Sequence, residues 1–224
     1  ATEGDIICDT RCKKIHRLAP NIFCCGAGTA ADAEHVTATV ACVLERARME
    51  HHLVQSSSNP SDGAIEPLSR VVAAHTLLKN RLYGSRGSCE CALILGGVDS
   101  EGPALYQIHQ HGSSDQTSFG SQGSGSMAAL AVLESEWRQG LDLSAAKELV
   151  RDAIAAGIAN DLGSGSSIDL MVIDSNGVAK YSRTPKKKKP LVSSNPLTQG
   201  HQQPPKLKTT IKRTCDLSND IELW

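Results

Sequence analysis

The sequence predicts an α+β fold of four layers, αββα, in which two β-sheets face each other and a pair of helices covers each outer surface. Three observations lead to this fold class. The predicted elements follow the order strands, two helices, strands, two helices and strands, which is neither a βαβ alternation nor an all-helical order. The helices repeat apolar residues at helical spacing, and those faces must be covered. Aromatic residues make up only 3% of the 224 residues, so small aliphatic side chains must form closely packed layers.

The first half of the chain supplies the first strands and the first helix pair. Strands are predicted at 6–8, 12–15 and 21–25, and the third leads into Gly26-Ala27-Gly28. Helices are predicted at 30–53 and 67–83 because apolar residues recur there every three or four positions. Residues 54–66 between them are rich in Ser, Asn and Pro, which predicts a long surface loop.

The second half repeats this arrangement. Strands at 91–98 and 104–109 are predicted to form a hairpin. Two helices follow at 127–137 and 144–159, with Ser124 or Ser126 as candidate caps of the first and Ser144 as the cap of the second. The last strands, 168–174 and 178–181, flank the tight turn Ser175-Asn176-Gly177.

The composition changes after residue 182, so the chain is predicted to comprise one domain, 1–182, and a tail, 183–224. The tail contains several prolines, four consecutive lysines at 186–189 and no apolar periodicity, which predicts an extended or disordered segment. The lysines could address the nucleus or contact an anion, but a solvated charge run is the favoured interpretation.

The overall composition argues against several classes of function. The formal net charge is -1, so neither nucleic acid nor membrane is predicted as a partner. No stretch approaches the roughly 20 apolar residues of a membrane span, and no signal peptide is recognisable. Eight cysteines lack C-x-x-C spacing and are predicted to be reduced thiols rather than zinc ligands. No metal and no cofactor are predicted.

Four segments carry candidate chemistry, and each has a plainer alternative. Lys14 is useful beside a nucleophile if burial lowers its pKa, but strand lysines are usually exposed. The turn Gly26-Ala27-Gly28 before a helix suits an oxyanion or a phosphate, and Gly26-x-Gly28-x-x-Ala31 also matches a dinucleotide fingerprint. The segments 123–126 and 160–166 could bring an Asp and two Ser together, or simply terminate helices.

Taken together and in order, these segments resemble eukaryotic proteasome β-subunits of the trypsin-like type. The resemblance covers most of 1–173 and is carried by these motifs: Lys14-Ile15-His16, Ala19-Pro20-Asn21-Ile22, Cys24-Cys25-Gly26-Ala27-Gly28-Thr29-Ala30-Ala31-Asp32, Leu95-Gly96-Gly97-Val98-Asp99, Gly102-Pro103, Leu105-Tyr106, Gly123-Ser124-Gly125-Ser126, Ala155-Ala156-Gly157-Ile158 and Asn160-Asp161-Leu162-Gly163-Ser164-Gly165-Ser166-Ser167-Ile168-Asp169-Leu170. It implies the N-terminal nucleophile hydrolase form of the αββα fold.

The resemblance also implies a mechanism and a set of catalytic residues. In the family, an N-terminal threonine attacks the peptide carbonyl and its own α-amino group takes the proton. On the matching positions, Lys14 is the buried lysine that lowers the proton affinity of the threonine, and Gly28 supplies the oxyanion N–H. Ser124, Asp161 and Ser164 surround the amine of the threonine.

The same resemblance implies how a substrate is held. Thr2, Gly4, Gly28 and Ala30 are expected to pair with the backbone of an extended peptide. The specificity pocket is expected to be lined by Ala1, Cys12, His16, Gly26, Ala30 and Glu34, with Asp32 close by. A carboxylate in such a pocket favours an Arg or Lys side chain, although an acid in the first turn of a helix also favours the helix dipole.

The sequence departs from the family pattern at its start and at Lys13. The mature family chain begins with two threonines and a strand hairpin, whose Asp pairs with the lysine, and this sequence starts just after that hairpin. Either the sequence is an incomplete gene model or the protein is an inactive paralogue. As written, the chain is expected to be inactive and poorly soluble, because sheet edges stay unpaired. The family has Glu or Asp where Lys13 stands. Residues 183–224 match a C-terminal arm in place and length but not in composition.

Three functional hypotheses follow. The first is a threonine endopeptidase subunit of a stacked-ring protease, with other proteasome α and β subunits as partners, unfolded polypeptides as substrates, and the cytoplasm and nucleus as its location. The second is a non-catalytic structural subunit of the same ring. The third is a dinucleotide-binding protein, which is disfavoured because paired helices and hairpins replace the required strand–helix alternation.

Overall fold

The computed structural model describes residues 2–3, 6–9, 12–58, 68–165 and 167–185. Predictions that concern Ala1, Gly4 and the chain beyond residue 185 lie outside these residues. The described elements are β1 (Thr2–Glu3), β2 (Ile6–Ile7), β3 (Ile15–Ala19), β4 (Ile22–Gly28), α1 (Ala30–Ser58), α2 (Val71–Gly84), β5 (Cys91–Asp99), β6 (Gly102–Ile108), β7 (Ser114–Gln116), α3 (Ser126–Glu136), α4 (Leu143–Asn160), β8 (Ser167–Ile173) and β9 (Ala179–Pro185). The α+β class and the order of two helix pairs among strands are confirmed.

Several boundaries differ from the prediction for local reasons. The strand predicted at 12–15 lies instead at Ile15–Ala19, because pairing with β4 fixes its register. Helix α1 continues to Ser58, five residues beyond the predicted end, into the predicted loop. Strand β9 continues to Pro185, so the first residues of the predicted tail pair with β8. Strand β7 was not predicted, since Ser114–Gln116 has no apolar alternation.

The helix caps also differ from those predicted. Helix α3 begins after Gly125, and neither Ser124 nor Ser126 caps it. Helix α4 is capped by Asp142, whose Oδ1 accepts the backbone N–H of Ala145 at 2.7 Å, and not by Ser144. Aspartate is as good an N-cap as serine, and the chain offered both within three residues.

Five strands form an antiparallel meander in the order β3-β4-β5-β6-β7, while β8 and β9 form a separate hairpin. Since side chains alternate across a strand, the meander has two distinct faces. One face packs against α1 and α2 and forms the larger core. Its fully buried members include Ile22, Cys24, Leu93, Leu95, Val36 and Leu78.

Helices α3 and α4 pack against each other around a second, smaller core of Leu133, Leu149 and Ala153. Helix α4 also contacts strand β8. A cavity of about 370 Å³ is lined on one side by residues of the β3–β4 region and on the other by residues of the β8–β9 hairpin. The hairpin and the meander therefore line one cavity.

Two polar side chains hold the start of α2. Asn21 is fully buried, and its Nδ2 donates to the backbone oxygens of Ser69 at 2.8 Å and Val98 at 2.7 Å. Asp99, at the end of β5, accepts the backbone N–H of Val71, the first residue of α2, at 2.7 Å. Burial opposes ionisation of Asp99, but hydrogen bonds from Val71, Glu101 and Arg70 outweigh it and lower its pKa. The sheet thus caps the helix that covers it.

Candidate active site

The carboxylate of Asp161 is the centre of a hydrogen-bonded cluster. Its Oδ2 accepts the hydroxyl of Ser124 at 2.6 Å and the hydroxyl of Ser164 at 2.5 Å. Its Oδ1 accepts the backbone N–H of Gly163 at 3.1 Å. The structure therefore brings together the three residues that the sequence grouped, although Ser124 is 37 positions away from Asp161.

This environment favours the charged form of the carboxyl. The hydroxyls of Ser124 and Ser164, followed by the N–H of Gly163, lower the pKa of Asp161 below its ordinary value. The carboxylate is consequently a permanent acceptor at neutral pH. It fixes the direction of both hydroxyl hydrogens and leaves the serine oxygens as acceptors towards a third group.

A pair of glycines allows the two halves of this cluster to meet. Asp161 follows the last residue of α4, and Ser124 lies just before α3. The start of α3 lies against the last turns of α4, where a Cβ on Gly125 would stand 3.1 Å from the Cα of Gly157. A Cβ on Gly157 would stand 3.2 Å from the oxygen of Gly125. A side chain at either position would have to push the two backbones apart by a few tenths of an ångström. Their close approach places Ser124 within reach of Asp161.

The end of β4 carries the predicted oxyanion donor. Gly28 has a φ of 98°, and a Cβ there would lie 2.3 Å from the oxygen of Glu90, so a side chain is excluded. Thr29 donates its N–H to Glu90 on the β5 side, while Gly26 donates to Lys14 on the β3 side. Because backbone groups alternate along an antiparallel strand, the N–H of Gly28 points to the β3 side. Among the described residues, no backbone acceptor takes it.

Gly123 connects the Gly28 region to the Asp161 cluster. A Cβ on Gly123 would lie 3.6 Å from the Cβ of Ala27, the residue before Gly28. Ser124 follows Gly123 directly, so the serine of the cluster and the end of β4 are neighbours. The contact lies on the face of the meander that α1 and α2 do not cover. No pattern in the sequence indicated it, since a glycine before a helix usually indicates only a turn.

Lys14 is where the structure departs most clearly from the prediction. Its side chain is exposed, not buried. It lies just before β3, the edge strand of the meander. Lys14 lines the cavity between β3–β4 and the β8–β9 hairpin, together with Lys13 and Arg17. Burial by neighbouring strands was the premise of the prediction, and an edge position does not supply it.

Four of the predicted pocket residues lie around the start of α1: His16, Gly26, Ala30 and Glu34. His16 is buried on the helix side of the meander, and its Nε2 would be 3.6 Å from a Cβ on Gly26. Burial, followed by the charge of Lys13, lowers the pKa of His16, whereas the carboxylate of Glu34 opposes this. Glu34 is exposed in the first turns of α1, and Ala30 and Cys12 are partly buried. Glu34 is thus a close electrostatic neighbour of His16.

Asp32 has a hydrogen-bond partner that was not predicted from the sequence. Its Oδ2 accepts the backbone N–H of Glu90 at 2.8 Å, across the gap between α1 and the start of β5. The carboxylate therefore has a structural partner on the sheet. Glu90 was not identified from the sequence, because no local pattern marks a residue whose backbone alone is used.

The remaining predicted substrate residues lie at the start of the chain. The backbone of Thr2 pairs with Ile7 in the short β1–β2 ladder. Ala1 and Gly4 lie outside the described residues. The predicted pairing of this segment with a peptide stays a prediction.

In the described part of the chain, no three His, Cys, Asp or Glu side chains are grouped so that they could hold a metal ion. No described helix is both long and apolar enough to cross a bilayer. Cys12, Cys24, Cys25, Cys42, Cys89 and Cys91 are reduced thiols. Burial raises the pKa of the Cys24 thiol well above its ordinary value.

Comparison with known proteins assigns the chain to a family. The family model for proteasome subunits matches residues 1–173, and the chain therefore belongs to the proteasome subunit family. Its relatives narrow the assignment to β subunits of the β2 type. They include proteasome subunit beta type-7-B of Arabidopsis thaliana, 46% identical over 183 residues. They also include proteasome subunit beta type-2 of Saccharomyces cerevisiae, 40% identical over 223 residues.

The extent of these matches differs. The Arabidopsis match covers 82% of this chain and 61% of the relative, and the Saccharomyces match covers 98% and 79%. A probable beta type-2 subunit of Schizosaccharomyces pombe is 45% identical, with 81% of this chain and 62% of the relative covered. The chain thus spans about three fifths of the length of two of these three relatives.

Proposed function

We propose that this chain is a subunit of the 20S proteasome core and forms the pocket and catalytic frame of a threonine endopeptidase that cuts after Arg or Lys. The process served is ATP- and ubiquitin-dependent protein degradation. One observation carries the proposal: the Ser124–Asp161–Ser164 cluster lies beside the end of β4, where Gly28 presents an N–H that no described backbone group accepts.

In the proposed reaction, an N-terminal threonine that is not one of residues 1–224 attacks the peptide carbonyl and its amine takes the hydroxyl proton. The charged carboxylate of Asp161 holds the two serine hydroxyls so that their oxygens accept from that amine. The N–H of Gly28 stabilises the oxygen of the tetrahedral intermediate. Lys14, a cation at the cavity wall, favours the deprotonated hydroxyl.

The four-layer arrangement belongs to the same proposal. Helices α1 and α2 cover one face of the meander, and α4 contacts β8 of the hairpin. The cavity between hairpin and meander has apolar lining from Ile15, Phe23 and Met171. We propose that a further strand hairpin fills this space and completes the inner sheet, and that the attacking threonine begins that hairpin.

Basic specificity rests on Glu34 in this proposal. It is an exposed carboxylate in the first turns of α1, and its charge acts on the buried imidazole of His16. A guanidinium or ammonium that reaches this carboxylate gains a charge-assisted hydrogen bond of about 1.5–3 kcal/mol. Partners are other α and β subunits, substrates are unfolded polypeptides, and the location is the cytoplasm and nucleus.

The test replaces the resident beta type-2 subunit of Saccharomyces cerevisiae with the native, full-length form of this protein. Purified particles are assayed with fluorogenic peptides that end in Arg, Leu or Glu. Cleavage of the Arg peptide is expected, and Glu34→Gln is expected to lower kcat/KM for that peptide about 10- to 100-fold, because one charge-assisted bond is lost.

A matched control is Glu148→Gln, an exposed glutamate on α4 that has no place in the proposed pocket. It should leave all three cleavage rates unchanged. Particles that contain the subunit and cleave no Arg peptide would support the alternative, a non-catalytic ring subunit. Equal losses for E34Q on all peptides would contradict the assignment of Glu34 to specificity.

A further inference from the structure

Gly28 has no side chain, so other groups must fix the direction of its N–H. Its φ is 98°, and glycine can adopt several other backbone conformations of similar energy. On its N-terminal side, Ala27 is held by pairing with Ala92 of β5. On its C-terminal side the strand ladder ends, and the chain turns into α1. The N–H of Gly28 belongs to the peptide that joins Gly28 to Ala27, and this peptide ends at the Cα of Gly28. The groups that hold this Cα therefore help to aim the donor.

Two hydrogen bonds to a single residue, Glu90, hold the chain on the C-terminal side of Gly28. The oxygen of Glu90 accepts the N–H of Thr29 at 2.7 Å. The N–H of Glu90 donates to the carboxylate of Asp32 at 2.8 Å. Thr29 is also tied to the helix, since its oxygen accepts the N–H of Ala33 at 3.1 Å. Both backbone groups of Glu90 are therefore clamped against the first turn of α1.

The geometry leaves Gly28 little freedom while this clamp is closed. The oxygen of Glu90 stands where a Cβ on Gly28 would be, at 2.3 Å, so the two backbones are in direct contact. A shift of Glu90 would move the Cα of Gly28, at which the peptide that carries the N–H ends. Loss of the Asp32 carboxylate would leave the N–H of Glu90 without its present acceptor and free the start of β5 to move.

We infer that Asp32 is a positioning residue for the oxyanion donor: through Glu90 and Thr29 it fixes the orientation of the Gly28 N–H. The inference rests on the proposed function. It differs from the role expected from the sequence, in which Asp32 lies close to the pocket that takes a basic substrate side chain. The two roles predict opposite behaviour for the isosteric amide, because an asparagine Oδ1 still accepts an N–H but carries no charge.

The experiment uses the assembled particles described above, with Asp32→Ala and Asp32→Asn. Asp32→Ala is expected to lower kcat for the Arg peptide about 10- to 100-fold, since an oxyanion donor is displaced rather than removed, and to change KM less than twofold. Asp32→Asn is expected to retain at least a third of kcat. If the alanine variant is not incorporated, Asp32→Ser replaces it, because serine suits a first helical turn but is too short to reach Glu90.

A second readout separates positioning from general structure. A peptide aldehyde ending in Arg forms a hemiacetal whose oxygen occupies the oxyanion position, whereas the corresponding peptide alcohol does not. Asp32→Ala should raise the inhibition constant of the aldehyde about tenfold or more and that of the alcohol less than twofold. The matched control is Asp142→Ala, which also removes a carboxylate that accepts one backbone N–H at a helix start, at 2.7 Å. It should change neither constant.

The outcomes are distinguishable. Wild-type particles that cleave no Arg peptide would overturn the proposed function and this inference with it. If the wild type is active and Asp32→Ala keeps its kcat, or weakens aldehyde and alcohol equally, only the inference fails. An equal rise in KM for Asp32→Asn and Asp32→Ala, with kcat unchanged, would show that the charge of Asp32 serves the pocket instead.

Discussion

At the residue scale, the chemistry of the candidate site depends on the number of hydrogen bonds that the carboxylate of Asp161 accepts. Asp161 accepts three hydrogen bonds, two of them from hydroxyls, and its pKa is lowered as a result. The sequence allowed Ser124, Asp161 and Ser164 to be grouped, because residue type and order carried the resemblance. The exposure of Lys14 and the partner of Asp32 were not predictable, since both depend on which strand or backbone lies alongside.

Asp161→Asn tests the cluster. The amide presents a donor where the carboxylate had only acceptors, so at least one serine hydroxyl must turn away. In assembled particles, kcat for the Arg peptide is expected to fall about 10- to 100-fold with KM changed less than threefold. Asp174→Asn is the matched control, because that carboxylate accepts two backbone N–H groups at 2.9 Å in the distant hairpin turn. Equal losses for both variants would refute a special role for Asp161.

Because the pKa of Asp161 is lowered, the difference in stability between the wild type and Asp161→Asn should depend on pH. A carboxyl whose folded pKa lies below its unfolded value of about 3.9 adds stability above that value and loses it as the pH falls through the folded pKa. Between pH 6 and pH 3, the wild type should therefore lose more of its free energy of unfolding than Asp161→Asn does. Urea titrations at the two pH values measure this difference.

At the scale of elements, the site depends on how closely α3 approaches α4. The sequence indicated both helices from their apolar spacing, and their bounds are nearly as predicted. It did not indicate that Gly125 and Gly157 face each other, because periodicity says which side of a helix is apolar and not which residue it meets. Glycine inside a helix lowers its stability, and the contact explains its presence at 157.

Gly157→Val is expected to separate α3 from α4. Its Cβ would stand 3.2 Å from the oxygen of Gly125, and the added methyl groups need further room. Overpacking of this kind costs about 1–3 kcal/mol, and the Ser124–Asp161 bond should lengthen, so kcat should fall as well. The control is Ala155→Val on the exposed side of α4, which introduces the same side chain without a helix contact. If Gly157→Val and Ala155→Val have the same free energy of unfolding and the same kcat, the close contact between α3 and α4 is contradicted.

At the scale of the whole molecule, the meander and the β8–β9 hairpin meet at the turn of the hairpin as well as around the cavity. Gly177, in that turn, has a φ of 75°, and a Cβ there would lie 3.0 Å from the Cβ of Asn21 and 3.2 Å from Leu68. Asn21 in turn holds the loop before α2. The hairpin therefore packs on the junction that orients the first helix pair.

Gly177→Ala is expected to destabilise the fold more than Gly140→Ala does. Both glycines have positive φ, 75° and 83°, so both substitutions carry a similar backbone cost of about 1–2 kcal/mol. Only Gly177 has neighbours within 4 Å, and nothing surrounds Gly140. The difference between the two free energies of unfolding, measured by urea titration, isolates the packing of the hairpin turn. No difference would mean that this contact contributes nothing.

The sequence by itself determined the class of fold, the order of elements and the identities in the cluster, because apolar periodicity, turn residues and motif order are local and survive without a structure. Only the tertiary structure decided that Lys14 is exposed, that Asp32 binds the backbone of Glu90, and that Gly123 joins Ser124 to the end of β4. The physical reason is that each of these depends on residues distant in sequence: on which strand lies at the edge of the sheet, on the start of β5, and on the packing of Gly123 against Ala27. Such neighbours are set by packing, and no local pattern records them.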